Sequence, residues 1–276
     1  MKFYADVHRT KKNGEGFRIT YTTDGTTFKH IDSFSEIPAR PGDKLFMDTL
    51  PPQYTDGAIE LLRRGVEVYY LRRLTLLKKM RREHKLPKSA RGDIRALMSI
   101  EERWFRRVTG DFLVLRRMIL AYRSLLKTHQ QLLNKYRALS EAEREVLKPA
   151  ISSIEKQLEE MAKKIDEEAG KRYTAYNVLL EGLGIDDGLA GREALAELLT
   201  YADFVNSSLR GLKKLLGLYK PTSSSRREYW RLYDGRLHRA VTRLAMTYYK
   251  NRPSGRQCWE LVKKIRQLVV TAQAPG

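Results

Sequence analysis

One cysteine, Cys258, is all the thiol that 276 residues carry. It excludes an internal disulfide framework and a Cys-rich zinc site, and a reducing compartment is the natural setting. Five histidines, His8, His30, His84, His129 and His238, are scattered and form neither an H-E-x-x-H nor a Cys/His ligand pattern. No uncharged apolar run is long enough to span or anchor in a membrane, and Asp6 arrives before the apolar core of a signal peptide could form. No phosphate-cradling Gly-Lys-Ser/Thr loop and no nucleophile elbow is present. The expected location is the cytoplasm, in association with the nucleoid.

Acidic residues are also in short supply. Fifty-three Lys and Arg face 33 Asp and Glu, a formal net charge of +20, and the isoelectric point is about 10. That balance points to a polyanionic partner, and nucleic acid is the default. The charge is concentrated: residues 63–95 hold twelve Lys/Arg against three acids, and residues 210–239 hold nine against two. Such clusters can be solvated helix faces. Two of them in one chain favour phosphate contact, by Lys78, Lys79, Arg81 and Arg82 in the first and Arg226, Arg227, Arg236 and Arg239 in the second.

Residues 1–50 read as strands. Phe17, Ile19 and Tyr21 alternate with polar residues, the period of a half-buried strand. Asp24-Gly25 signals a hairpin turn, with Thr26–Ile31 as the return strand. Leu45-Phe46-Met47 reads as a buried strand, 56–64 as a helix closed by Gly65, and 66–71 as a further strand, so an α/β layer with a parallel pair is expected. From Ile94 to Ala138 the spacing is helical, with no proline and one glycine. Ser140 and Glu143 make a capping box. Leu147, Ile151, Ile154, Leu158, Met161 and Ile165 then form an a/d seam, with Pro149 expected near the first turns. The seam serves either an antiparallel hairpin or a dimer. Gly182, Gly184 and Gly188 make a glycine-rich joint, read either as a helix break or as a turn whose amides grip a DNA backbone. A helix over 192–201, a polar joint at 220–226 and a last helical stretch divided by Pro253-Ser254-Gly255 complete the chain.

Asp6, Asp48 and Asp93 stand on two expected strand ends and one helix start. Each alone is most simply a solvated strand end or a cap. Together they could converge on Mg²⁺ as a two-metal nuclease requires. Ala90 stands where a fourth acid would be. Ser223 to Ser225, between Pro221 and Arg226-Arg227, are either a surface loop or a nucleophile beside cations.

In this order the motifs resemble the Piv-type DEDD transposases of the insertion-sequence one-ten family, the RNA-guided bridge recombinases, over nearly the whole chain. The resemblance rests on Asp6 in the opening strand, Asp48-Thr49 with Tyr54, and Lys88-Ser89-Ala90-Arg91-Gly92-Asp93-Ile94. It continues through Leu180-Glu181-Gly182-Leu183-Gly184, then Gly217 to Pro221 with Ser223 to Ser225, then Gly235 to Arg239. It departs at Asp48, where the family has Glu, at Ala90, where it has Asp, and at Arg226, where it has Gly.

The resemblance implies an α/β RNase H-like (RuvC-like) domain over 1–98, a coiled-coil helical hairpin over 99–175 and a helical C-terminal transposase domain over 176–276. It implies DNA recombination or transposition guided by RNA, in a homo-oligomer, dimer or tetramer. Asp6, Asp48 and Asp93 would hold Mg²⁺, and Ser225, or else Ser224, would join covalently to DNA. Two other functions fit the same residues: a catalytically impaired or domesticated nucleic-acid-binding protein, and a Holliday-junction nuclease of RuvC type that uses water and needs no serine. All three require phosphate contact. Affinity for duplex DNA is therefore expected to fall by about 0.9 log units per log unit of salt for each phosphate neutralised. Filter binding or anisotropy across a salt series checks this, and a salt-insensitive affinity would remove nucleic acid as the partner.

Overall fold

The computed structural model describes residues 1–9, 17–71, 74–185, 188–219 and 233–273, and it divides into two compact units, Met1–Arg117 and Met118–Gly276. The architecture is mixed α/β, with a six-stranded mixed sheet in the first unit. Among the described residues no helix is long and apolar enough to cross a membrane.

The sheet order is β3-β2-β1-β4-β5-β6. Strands β1 (Lys2–Arg9), β2 (Phe17–Thr22) and β3 (Lys29–Ile31) run antiparallel in sequence. Strand β4 (Lys44–Met47) lies parallel to β1, β5 (Glu67–Leu71) parallel to β4, and β6 (Phe105–Arg107) antiparallel to β5. Alternation puts Tyr4, Phe46 and Tyr69 on one face. There Phe46 stacks between Tyr4 and Tyr69, at 5.3 and 5.0 Å between ring centroids, and meets Phe105 edge-on. Helices α2 (Leu74–Glu83) and α3 (Ala90–Met98) cover this face, burying Leu77, Ala96 and Leu97 with Phe46. On the opposite face Tyr70 stacks on Phe112, in the first turn of α4 (Gly110–Ala138), and α1 (Thr55–Arg63) packs on β5. Both faces are therefore covered, as a sheet with parallel strands requires.

Three local expectations are corrected here. The return strand is only three residues long. The Asp24 carboxylate accepts from the amides of Thr26 and Thr27, and the Thr22 hydroxyl donates to the Thr27 carbonyl, so those groups are not free for a ladder. Strand β2 is buried on both faces rather than one: Thr20 and Thr22 are as enclosed as Ile19 and Tyr21, and the Thr20 hydroxyl bonds to His30 Nδ1 at 2.9 Å. The continuous helical character from Ile94 breaks after Met98 into a 3₁₀ turn at Glu102–Trp104 and β6. There Phe105 enters the aromatic cluster, and burial outweighs the helical spacing.

In the second unit, α4 and α5 (Glu141–Arg172) form a hairpin joined at Leu139-Ser140. Glu143 accepts from the Ser140 amide, and Arg144 donates to the carbonyls of Tyr136 and Arg137, which caps the end of α4. Pro149 lies in the third turn of α5, and the helix runs on through it. Of the a/d seam, Ile151, Leu158 and Ile165 are buried, while Leu147, Ile154 and Met161 are half-buried. The chain's own helices α6 (Thr174–Leu183) and α7 (Leu189–Tyr201) pack against α5.

The glycine joint is a helix end. Gly184 takes φ +62°, and the amides of Gly184 and Ile185 donate back to the carbonyls of Glu181 and Leu180. Those amides are committed and cannot grip a phosphate. Helices α8 (Leu209–Leu215), α9 (Gly235–Tyr249) and α10 (Gly255–Gln273) follow, with Pro253-Ser254 between the last two.

Helix α7 is buried on nearly every side, two glutamates included. Glu193 and Glu197 are fully enclosed. Arg243 of α9 reaches both, at 2.5 and 3.1 Å, and Arg123 of α4 pairs with Glu197. Burial brings the Arg123 guanidinium down to about 10 and raises the Glu193 carboxyl, while Arg243 opposes the rise in Glu193. Removing one partner strands a buried charge. Glu197→Gln is therefore expected to cost about 3–5 kcal/mol of unfolding free energy. Urea denaturation measures it, and a loss below about 1 kcal/mol, the range of an exposed pair, would mean the cluster is solvated.

Candidate functional site

The parallel register of β1 and β4 sets the first two acids. Ala5 pairs with Met47, the last pair of that ladder; Asp6 is the next residue of β1, Asp48 is the first residue after β4, and the two carboxyls lie near enough to repel. Both are buried. Helix α3 packs against β1, β2 and β4, and it carries Asp93 in its first turn. The Ser89 hydroxyl accepts from the Gly92 amide and fixes the start of that helix. A side chain at position 92 would put its Cβ 2.0 Å from the Pro87 carbonyl oxygen, so only glycine allows the chain to close there and present Asp93.

The carboxylates feel one another. Burial first, then Asp48 and Asp93, push Asp6 up to about 8, with Arg81 opposing. Burial raises Asp48 to about 6, with Asp93 adding to the rise, against a 2.7 Å hydrogen bond from the Thr49 amide. Asp93 is raised by burial and held back by Arg81, whose Nη1 lies 2.9 Å from Asp93 Oδ1. His8 Nδ1 lies 3.4 Å from Asp6 Oδ2, and burial lowers its pKa. Hard oxygen donors whose mutual repulsion a cation would relieve suit Mg²⁺, so the donor chemistry fits that ion. Among the described residues no three acidic, His or Cys side chains are gathered closely enough to ligate one ion together. Asp93 is instead paired with Arg81.

Ala90 is the first residue of α3, one turn before Asp93, and supplies no donor. Lys78, Lys79 and Arg82 are exposed on α2, where Lys79 pairs with Glu83. Arg81, expected to face a phosphate, points inward to Asp93. Arg236 pairs with Asp234 and, like Arg239, is exposed on α9. Ser224, Ser225, Arg226 and Arg227 lie outside the described residues. The chain on either side of them is tied together. The Asp234 amide donates to the Leu215 carbonyl, and His238 Nδ1 donates to the Leu216 carbonyl at 2.9 Å.

Sequence reasoning missed Arg81 as a partner of Asp93, and missed the exposed arginines Arg91 and Arg95, which flank the Phe28 ring at 5.4 and 5.5 Å. It also missed the buried Glu193–Glu197 pair. That pair carried a signal, two acids four apart inside the apolar run Ala194 to Leu199 and its neighbours.

No protein-family model matches the chain, and no curated protein matches it significantly.

The raised carboxylates fix the sign of a pH dependence. Their protonated forms are favoured by folding, so their contribution to stability is complete below the ordinary value of 3.8 and is lost as pH rises to about 8 for Asp6 and about 6 for Asp48. Without divalent ions, Asp6→Asn is expected to melt higher than the unmodified chain at pH 8 and to match it near pH 4. Thermal melts across that range check this, and an equal gap at both ends would show that the Asp6 charge is not the cause.

Proposed function

We propose that this chain is a DNA recombinase or transposase acting on phosphodiesters, guided by RNA as its resemblance to the bridge recombinases implies. The observation that carries the reading is the placement of Asp6 on β1 and of Asp48 directly after the parallel neighbour β4, with Asp93 on the helix packed against both strands. An acid on the opening strand, one at the end of its parallel neighbour and one on a helix is the arrangement an RNase H-like domain of RuvC type would need. The sheet and its covering helices support that assignment. Burial of Asp6 and Asp48, with the charge of Asp93 adding to it, costs stability, and a binding task for a cation accounts for it.

In this reading Asp6 and Asp48 would hold Mg²⁺, with Asp93 facing them from α3, and the bound ion would stabilise charge on the scissile phosphate oxygens. His8 lies beside Asp6, its Nδ1 3.4 Å from the carboxylate. Lys78, Lys79, Arg82, Arg91 and Arg95 give the first unit its phosphate contacts, and Arg236 and Arg239 serve the second. Ser225, with Ser224 next, is the nucleophile by resemblance. Assembly as a dimer or tetramer belongs to the same reading. A nucleic-acid-binding role without catalysis is favoured by one observation: Ala90 leaves the first turn of α3 with a single acid.

Incubation with duplex DNA, structured RNA and Mg²⁺, followed by a denaturing gel, separates the readings. The expected result is a covalent protein–DNA adduct that disappears in both Ser225→Ala and Asp6→Asn. Salt-dependent binding in Ser225→Ala should stay within about twofold, because one hydroxyl contributes little to a many-phosphate interface. Strand cleavage without an adduct would establish the junction nuclease instead, and neither product would establish the binding protein.

A further inference from the structure

Among the described residues of the first basic cluster, Arg81 is partly enclosed and forms an ion pair with Asp93. Its side chain and that of Asp93 are 15% and 18% exposed, against 65% for Lys79 on the same helix. A guanidinium stays charged at any working pH, so Arg81 brings a fixed positive charge to Asp93. It sits on the same carboxylate that a second metal ion would need. That ion would also lack a donor at position 90, where Ala90 opens α3. Asp6 and Asp48, by contrast, stand side by side with no Lys or Arg in an ion pair with either among the described residues.

We propose that the carboxylate centre takes a single divalent cation, held by Asp6 and Asp48, with Arg81 serving as the built-in cation on Asp93 in place of a second metal ion. The proposal rests on the reading of these acids as a metal centre. It gives Arg81 a positioning role: the guanidinium holds Asp93 out of the first ion's coordination and supplies a fixed positive charge on that side of the site. It also ties the Arg81 interaction to Ala90. A chain with an acid at 90 could hold a second ion, and a permanent cation at Asp93 would then repel it.

Titration of the full-length protein with Mn²⁺, by calorimetry and by electron paramagnetic resonance, tests this without any activity measurement. The unmodified chain is expected to bind one Mn²⁺ with the spectrum of an isolated ion. Asp48→Asn should abolish that binding. Arg81→Gln should free Asp93 to join the ion and tighten binding roughly tenfold. Arg81→Lys keeps the charge and should leave the stoichiometry at one. Arg81→Gln combined with Ala90→Asp should bind two ions with a spin-coupled spectrum. Circular dichroism on each variant confirms folding, and the lysine variant carries the test if the glutamine variant does not fold. Two coupled ions in the unmodified chain, or Mn²⁺ binding of equal strength and number in Arg81→Gln, would overturn the role of Arg81 while leaving the metal centre intact. No Mn²⁺ binding by either the unmodified chain or Arg81→Gln would overturn the metal centre itself.

Discussion

The pairing of β1 with β4 is the constraint on which the candidate site depends. Phe3 opposite Leu45 and Ala5 opposite Met47 lock two apolar strands side by side, and the first polar position beyond that apolar ladder is an aspartate on both. A slip of one residue would turn Phe46 to the other face of the sheet, away from the three rings that hold it, and would separate the two carboxylates. Phe46 is held by three rings and is almost fully enclosed, so the aromatic cluster enforces the register and the register enforces the site. Stability and chemistry share one face of the sheet.

The two units handle buried charge in opposite ways. In the second, two enclosed glutamates meet two arginines, and the cluster comes close to neutrality. That is how a structural ion network is expected to look, because an unpaired charge there would cost several kcal/mol. In the first, three carboxylates meet one arginine. Burial first, and then the neighbouring carboxylates at Asp6 and Asp48, raise the carboxyl pKa values, a standing cost to the fold. A protein tolerates such a cost where something else supplies the missing charge, which is why the first unit rather than the second is read as the working site.

Much of the first unit was legible in the sequence because its signals are local. Leu45-Phe46-Met47 is an apolar run with no helical alternative at that length, and Glu67–Leu71 follows a helix closed by Gly65. The positions of Asp6, Asp48 and Asp93 on two strands and a helix start could be placed for the same reason. What could not be read was direction. Arg81 sits in a run of like cations, and nothing in that run says which one turns inward. Strand β6 was hidden because Phe105 fits the helical spacing around it as well as it fits the aromatic cluster. The double burial of β2 comes with α3 packed against it and a hydrogen bond between Thr20 and His30, partners that lie outside the strand's own sequence. In the second unit the two acids of α7 were visible as polar intrusions, but their arginines lie on α4 and α9, far away in sequence.

That distance bears on synthesis. Arg123 is made 74 residues before Glu197, and Arg243 follows Glu197 by a further 46. While the chain emerges from the ribosome, α7 cannot bury both its acids until α9 has also appeared. Until then the helix has a strongly apolar surface and two carboxylates that only one arginine can serve. The second unit is therefore committed to late, all-at-once closure, and an emerging chain halted before Arg243 would present an apolar, anionic helix to whatever chaperone meets it first.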